Sequence, residues 1–238
     1  MDLGISESVI YGSRGLEPAY LNPLLPYLIA EHTLGNKDNE SLGLDADYRP
    51  LKNLRVFGEL FIDDLFAPWE IFSDYWGNKL AFTTGFQWID PFRLSDSELL
   101  LEYSRIEPYV YTHQDSINVF ENYNTGLGHP LHPNSDLLYC HFRKQFSLAF
   151  GMVVFLSSQR HGQGDRWTPH QETDSEKKAF LNGVVEKNRQ TGIEFRWEVL
   201  RDFFIQVRYS NYQSKNFKQI IDDNRDWNEV VLKANLNW

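Results

Sequence analysis

Aromatic rings and planar polar groups recur in the stretches of this chain that carry no regular apolar pattern. The rings are Trp69, Tyr75, Trp76, Tyr109, Tyr111, Tyr123 and Trp167; the polar groups are Asn78, His113, Asn122, Asn134, Asp136 and Arg166. Aromatic faces pack against the C–H surfaces of sugar rings, and planar amide, carboxylate and guanidinium groups bind neighbouring hydroxyls in pairs. Together they could recognise a saccharide. Taken singly they have plainer roles. Tyr109 and Tyr111 could belong to an aromatic girdle at a membrane interface, and Asn134 and Asp136 could shape a turn.

Other chemistries find less support. Ser135 near His132 is the one tempting nucleophile–base pair, and Pro133 stands between them. A hydrolase also needs a third, orienting group, so no catalytic residue is assigned and the chain is not expected to be an enzyme. His129 and His132 are each followed by proline, with no third ligand at a suitable spacing, so no metal or other cofactor is expected. The run Asp222, Asp223, Asn224 and Asp226 lacks the glycine and distal glutamate of a calcium-binding hand and reads as a solvated acidic loop.

The elements that must position these residues are strands. From Val230 to Trp238 the chain alternates without a break: Val230, Leu232, Ala234, Leu236 and Trp238 on one face, polar residues mostly on the other. That period of two marks a strand with unlike faces. Ten such segments are expected, near 3–12, 40–49, 53–63, 78–89, 97–111, 135–145, 147–158, 183–199, 202–213 and 227–238. Their connections alternate between short turns and long loops. The apolar parity is even from Leu138 to Leu156 and odd from Ile193 to Tyr209; a hairpin loop with an odd residue count keeps parity, so loops of about three residues are expected in both places. The opposite face carries charge of both signs, including Arg55, Glu59, Asp63, Arg143, Glu194, Arg196 and Arg208.

Alternation alone fits two architectures. A soluble sandwich presses apolar faces together and puts the charged faces in water. A membrane barrel turns the apolar face to lipid and the charged face to its lumen. Strand length, loop asymmetry and the aromatic terminus favour the barrel: all-β, antiparallel, up-and-down and transmembrane, with residues 1–238 as one domain. The lumen charges could line a pore or pair with one another and stiffen a filled interior; their similar numbers of both signs favour pairing. The loop at 13–39 is apolar around Leu16 to Ala30 and carries three prolines. It cannot be helical throughout, and folds either into the lumen or against neighbouring loops.

Composition agrees with this class. Aromatic residues reach 15% (17 Phe, 12 Tyr, 7 Trp), and no apolar run approaches the roughly 18 residues of a membrane helix. The net charge of −10 argues against nucleic acid as a partner. The single Cys140 offers no internal disulfide. Met1 to Gly12 lacks the basic and apolar regions of a signal peptide, so an exported barrel would require this to be the later part of a longer chain.

The segments YGSRGLEPAYLNPLLPY at 11–27, EHTLGNKDNESLGLDADYRP at 31–50, YWGNKLAF at 75–82 and RIEPYVYTHQDSINVFENYNTGLGHPLHPNSD at 105–136 resemble the capsule-assembly Wzi family of Gram-negative outer-membrane proteins. The resemblance covers residues 11 to about 160. It implies a monomeric outer-membrane barrel that acts as a surface lectin, holding capsular or surface polysaccharide to the cell without enzymatic activity. Its partners would be that polysaccharide, outer-membrane lipid and the barrel-assembly machinery, which would read the terminal Trp238. Family members are longer on the N-terminal side, so these ten strands would be a portion of a larger barrel, with an open edge. The alternatives are an outer-membrane porin or transport channel, and a soluble all-β carbohydrate-active enzyme.

Overall fold

The computed structural model describes residues 1–22, 24–35, 37–65 and 67–236. Trp238, expected at the end of the last strand, lies outside the described residues. The alternating segments form one ten-stranded sheet: β1 (Asp2–Ile10), β2 (Asn39–Leu51), β3 (Leu54–Asp64), β4 (Lys79–Ile89), β5 (Ser97–Ile106), β8 (Ser135–Ser147), β9 (Phe150–His161), β10 (Glu186–Leu200), β11 (Phe203–Lys215) and β12 (Arg225–Leu236). Strands adjacent in this order pair antiparallel, so the sheet is up-and-down throughout. The short strands β6 (Glu121–Asn122) and β7 (Thr125–Gly126) make a separate hairpin inside a loop. Among the described residues β1 and β12 do not pair with each other, so the sheet is open with two free edges.

Short turns at 52–53, 90–96, 148–149 and 201–202 lie at one end of the sheet. Long connections at 11–38, 65–78, 107–134, 162–185 and 216–224 lie at the other. Parity is conserved by one device used three times. The turns 52–53, 148–149 and 201–202 have two residues each, and each is flanked by a register shift: between Tyr48 and Leu51, Gln145 and Ser147, and Glu198 and Leu200. A two-residue turn alone would reverse the parity; the extra bulge residue restores it.

Register then fixes which residues share a face, because directly paired residues point the same way. One face carries Asp45, Glu59, Thr83 and Ser104 in a single row, with Arg55, Glu98, Arg143, Glu194 and Arg208 on the same side. The other carries Leu54, Trp88, Leu99, Phe142, Val154, Ile193, Tyr209 and Val230 in a row across eight strands. Among the described residues nothing covers much of this apolar face. In mid-sheet Val154 is 42% and Trp197 is 52% exposed.

The buried core lies instead on the polar face, at the long-loop end. There the 107–134 loop folds back, so that Val110, Tyr111, Phe120 and Leu131 pack with Ala81 and Ile106, against Phe61, Leu137 and Ile10. Glycines on this face make room for rings. Phe57 lies over its cross-strand partner Gly85, and Phe155 over its partner Gly192.

Strand β5 ends at Ile106, five residues before the expected limit. Pro108 has no N–H for a ladder, and Tyr109 and Tyr111 adopt left-handed backbone with φ of 68° and 67°. Both tyrosines therefore belong to the returning loop. In the 13–39 segment, Pro26 sets the start of a helix, α1 (Tyr27–Leu34), which ends at Gly35 with φ of 97°. The Tyr27 N–H donates to Glu7 at 3.0 Å, and Glu7 shares the parity of Ile5 on the apolar face. Further along, Tyr20 donates to Asp38, which Arg14 also binds, while Asn39 and Asn118 tie the segment to the 107–134 loop.

Candidate functional site

Three long loops interlock at one end of the sheet. The 65–78 and 162–185 loops run alongside each other: Trp76 N–H donates to Glu176 O at 3.0 Å, and Lys178 N–H to Asp74 O at 2.8 Å. Trp76 stacks flat on His170, with centroids 4.0 Å apart and planes 5° apart. Tyr109 from the third loop meets the same imidazole edge-on at 5.3 Å, and Gln114 donates to the His170 carbonyl at 2.6 Å. Tyr75 adjoins Trp76 at 5.6 Å. His170 thus sits at the centre of an aromatic cluster, a position the sequence does not reveal. No regular spacing announces it, because its partners come from loops about 60 and 95 residues away by numbering.

Several of the expected ligand residues hold this scaffold together. Asn134 is 1% exposed. Its side-chain amide donates to Gln163 O at 2.8 Å and to the Asn182 side chain at 2.5 Å, and its side-chain oxygen accepts Leu181 N–H at 2.6 Å. Asp136 is buried; it pairs with Arg160 through two hydrogen bonds and accepts from Tyr103 at 3.1 Å. Buried Asn78 donates to Glu70 O at 2.7 Å and to Ser73 at 2.8 Å. Tyr111 is buried too. Its N–H donates to Asp63 at 2.8 Å and its hydroxyl accepts His129 N–H at 3.0 Å, and burial pushes its phenol up to about 12. His113 accepts Asp115 N–H at 3.0 Å through its own imidazole and stays local.

The ring surface left open belongs to other residues. Tyr123, at the tip of the β6–β7 hairpin, is 95% exposed, and Trp69 and Trp167 are exposed. Phe72, not expected from the sequence, is exposed as well. Asn122 is exposed on the hairpin. The guanidinium of Arg166 lies directly against Gly126, where any β-carbon would displace it. The arrangement therefore divides into a buried frame (Asn78, Tyr111, Asn134, Asp136) and an exposed rim (Trp69, Tyr123, Trp167), with Tyr75, Trp76, Tyr109 and Arg166 half-buried between them.

The charged face beneath the loops is extensively paired. Arg55 binds Asp47 and lies 4.8 Å over the Phe57 ring. Arg143 meets Glu98 at 3.6 Å, Arg208 Nε donates to Glu194 at 2.6 Å, and Arg196 lies 4.6 Å over Phe204. Partly exposed pairs of this kind contribute up to about 1 kcal/mol each, so they order the face more than they stabilise it.

Two histidines bracket the rim. His132 stacks on His161 at 5.3 Å. Burial lowers the His132 pKa below the ordinary imidazole range, and the nearby His161 and Arg166 lower it further. His129 is lowered by burial. Ser135 is fully buried and its hydroxyl donates to Pro133 O at 3.4 Å, away from His132. Among the described residues, no three His, Cys, Asp or Glu side chains converge as a metal site would require.

Fold and site define an all-β chain with an open, ten-stranded up-and-down sheet and a loop cluster at one end. Comparison with protein-family models, with curated proteins and with solved structures found no match.

Proposed function

We propose that the chain is part of an outer-membrane β-barrel of a Gram-negative bacterium that binds capsular or surface polysaccharide through its long loops, in the manner of the capsule-assembly Wzi family. The observation that carries the membrane reading is the inversion of the sheet. Its apolar face is bare over much of its extent, while the buried core and the 107–134 loop pack on the charged face. In water that arrangement exposes a contiguous apolar row across the sheet, a feature that soluble monomers keep small. In lipid it is the expected one.

The slant of the apolar band supports the same reading. One hydrogen-bonded row runs Ile5, Leu44, Leu60, Phe82, then Arg105, Asp136, Arg160, Lys187 and Lys215. It starts apolar and ends charged. Residues along such a row stay at one depth only if strands stand upright; when strands tilt, a flat apolar slab crosses the rows obliquely. The strands, of nine to fifteen residues, are long enough to cross a hydrocarbon core of about 30 Å when tilted.

The polysaccharide reading rests on the exposed rim. Tyr123 and Trp167 offer open ring faces next to Asn122 and Arg166, and Trp69 is a further exposed ring, on a frame whose own polar groups are already satisfied. The 107–134 loop occupies the charged face at the same end, which favours a filled interior over a conducting one. Heat-modifiable migration in detergent tests the barrel; a chain that is soluble and monomeric without detergent would refute it. Retention of surface polysaccharide by a Tyr123→Ala, Trp167→Ala double variant tests the rim, and unchanged retention would remove those residues from the site. Large steady conductance in a planar bilayer would replace the lectin reading with a channel.

A further inference from the structure

We infer that the outward face of β9, β10 and β11, at the long-loop end, is a binding surface for the phosphates of an anionic glycolipid. The inference rests on the reading that the apolar face meets lipid. Arg160, Lys187 and Lys215 are consecutive partners in one cross-strand row, and Arg189 lies two residues from Lys187 on the same face. All four are exposed. Like charges set directly opposite each other on a sheet repel and lower its stability. Here three stand side by side, in a chain whose net charge is −10.

Internal compensation covers one of the four. Arg160 is held by Asp136. Among the described residues no carboxylate forms an ion pair with Lys187, Arg189 or Lys215. The surface is therefore built with positive charge that an external anion can neutralise.

What lies below the row selects the anion. Towards the turn end the same strands carry small polar groups, Ser158, Thr191 and Asn211, and then Leu156, Ile193 and Tyr209 at the start of the apolar band. A ligand that follows this face must carry negative charge, then polar linkage, then hydrocarbon. A phosphorylated glycolipid has that order, and Arg and Lys bind phosphate oxygens through charge-assisted hydrogen bonds. A soluble acidic polymer matches the charge but leaves the apolar part unused.

The experiment uses the chain folded in neutral detergent. Binding of an acylated bisphosphorylated glucosamine disaccharide, of its dephosphorylated form and of inorganic phosphate is measured by native mass spectrometry. The phosphorylated glycolipid should bind at least about tenfold more tightly than the dephosphorylated one, since each basic residue near an anionic lipid surface adds an appreciable increment. A K187Q/R189Q/K215Q variant should lose that preference and, without lipid, should unfold at a higher temperature than the parent because the repulsion is gone. A K52Q/R201Q control at the turn end should keep the preference. Equal binding of the two glycolipids by the parent, or a preference that survives the triple substitution, overturns the inference. So does competition by an acyl-free acidic polysaccharide as strong as by the glycolipid, which would assign the surface to a polymer. A chain that binds no detergent refutes the membrane reading and this inference together; detergent binding without phosphate preference refutes this inference alone.

Discussion

His132 and His161 stack ring on ring, with centroids 5.3 Å apart and planes 20° apart. The contact joins the 107–134 loop to the last residue of β9, next to the start of the 162–185 loop. Burial, His161 and Arg166 hold the His132 pKa below its unfolded value. Below about pH 6.5 the unfolded loop takes up a proton that the folded loop resists. Loop stability therefore rises with pH through that window and is lost as pH falls below it. Amide hydrogen exchange of residues 162–182 should accelerate, relative to the strands, between pH 7.5 and 5.5. A His132→Gln variant should flatten the dependence, and an unchanged dependence in that variant would assign the effect elsewhere.

Asn134 should prove structural. Its side chain satisfies two carbonyl acceptors and one N–H donor across a loop crossing. Asn134→Ala leaves those groups without partners in a site closed to water, at a cost of about 3 kcal/mol. Urea unfolding of the detergent-folded chain reads this directly. If polysaccharide retention falls in the same variant, adding a stabilising condition that restores the fold should also restore retention. Retention that stays lost in a fully folded variant would mean that Asn134 touches the ligand after all.

The strands were legible in the sequence because alternation is local. Val230 to Leu236 declare their two faces without help from any neighbour, whereas the parity that holds from Leu138 to Leu156 suggests a three-residue loop, and the structure keeps it instead with a two-residue turn and a bulge between Gln145 and Ser147. What the sequence could not show is which loop residues become frame and which become rim. Tyr111 and Tyr123 are equally attractive aromatics in one loop. The first is buried because Phe61 and Phe120 happen to meet it, the second is open at a hairpin tip. The end of β5 depended on Pro108, visible in the sequence but overridden there by the alternation of Tyr109 and Tyr111.

That division gives opposite expectations for two tyrosines. Tyr111→Ala removes a ring from the buried core of the returning loop, a loss of about 3–5 kcal/mol for a large aromatic. Its effect on saccharide binding would be indirect and accompanied by loss of stability. Tyr123→Ala changes little that is buried and should leave the unfolding midpoint within about 0.5 kcal/mol of the parent while weakening polysaccharide retention. Paired denaturation and retention measurements separate the two. A stable Tyr123→Ala variant with full retention would exclude the hairpin tip from the site.

The glycines of the charged face allow a sharper test of packing. A β-carbon at Gly85 would meet the Phe57 ring at 2.7 Å and the backbone of Glu102 at 3.1 Å, and would press on the carbonyl oxygen of Leu101. At Gly192 it would meet the Phe155 ring at 2.5 Å and the Tyr209 carbonyl oxygen at 2.7 Å. Backbone atoms in a paired sheet cannot step aside, so each alanine should cost about 1–3 kcal/mol through overpacking. Gly58, also in a strand, has only ordinary contacts at 3.8 Å and beyond. Gly58→Ala should be neutral or slightly stabilising, because it removes chain freedom from the unfolded state. The three variants have the same chemistry and differ only in what the new methyl group meets. Midpoints that fall together would show that the three sites do not differ in the space open to a methyl group. A drop confined to Gly85→Ala and Gly192→Ala would show that these two positions, unlike Gly58, are closed by the facing ring and the neighbouring strand's backbone together.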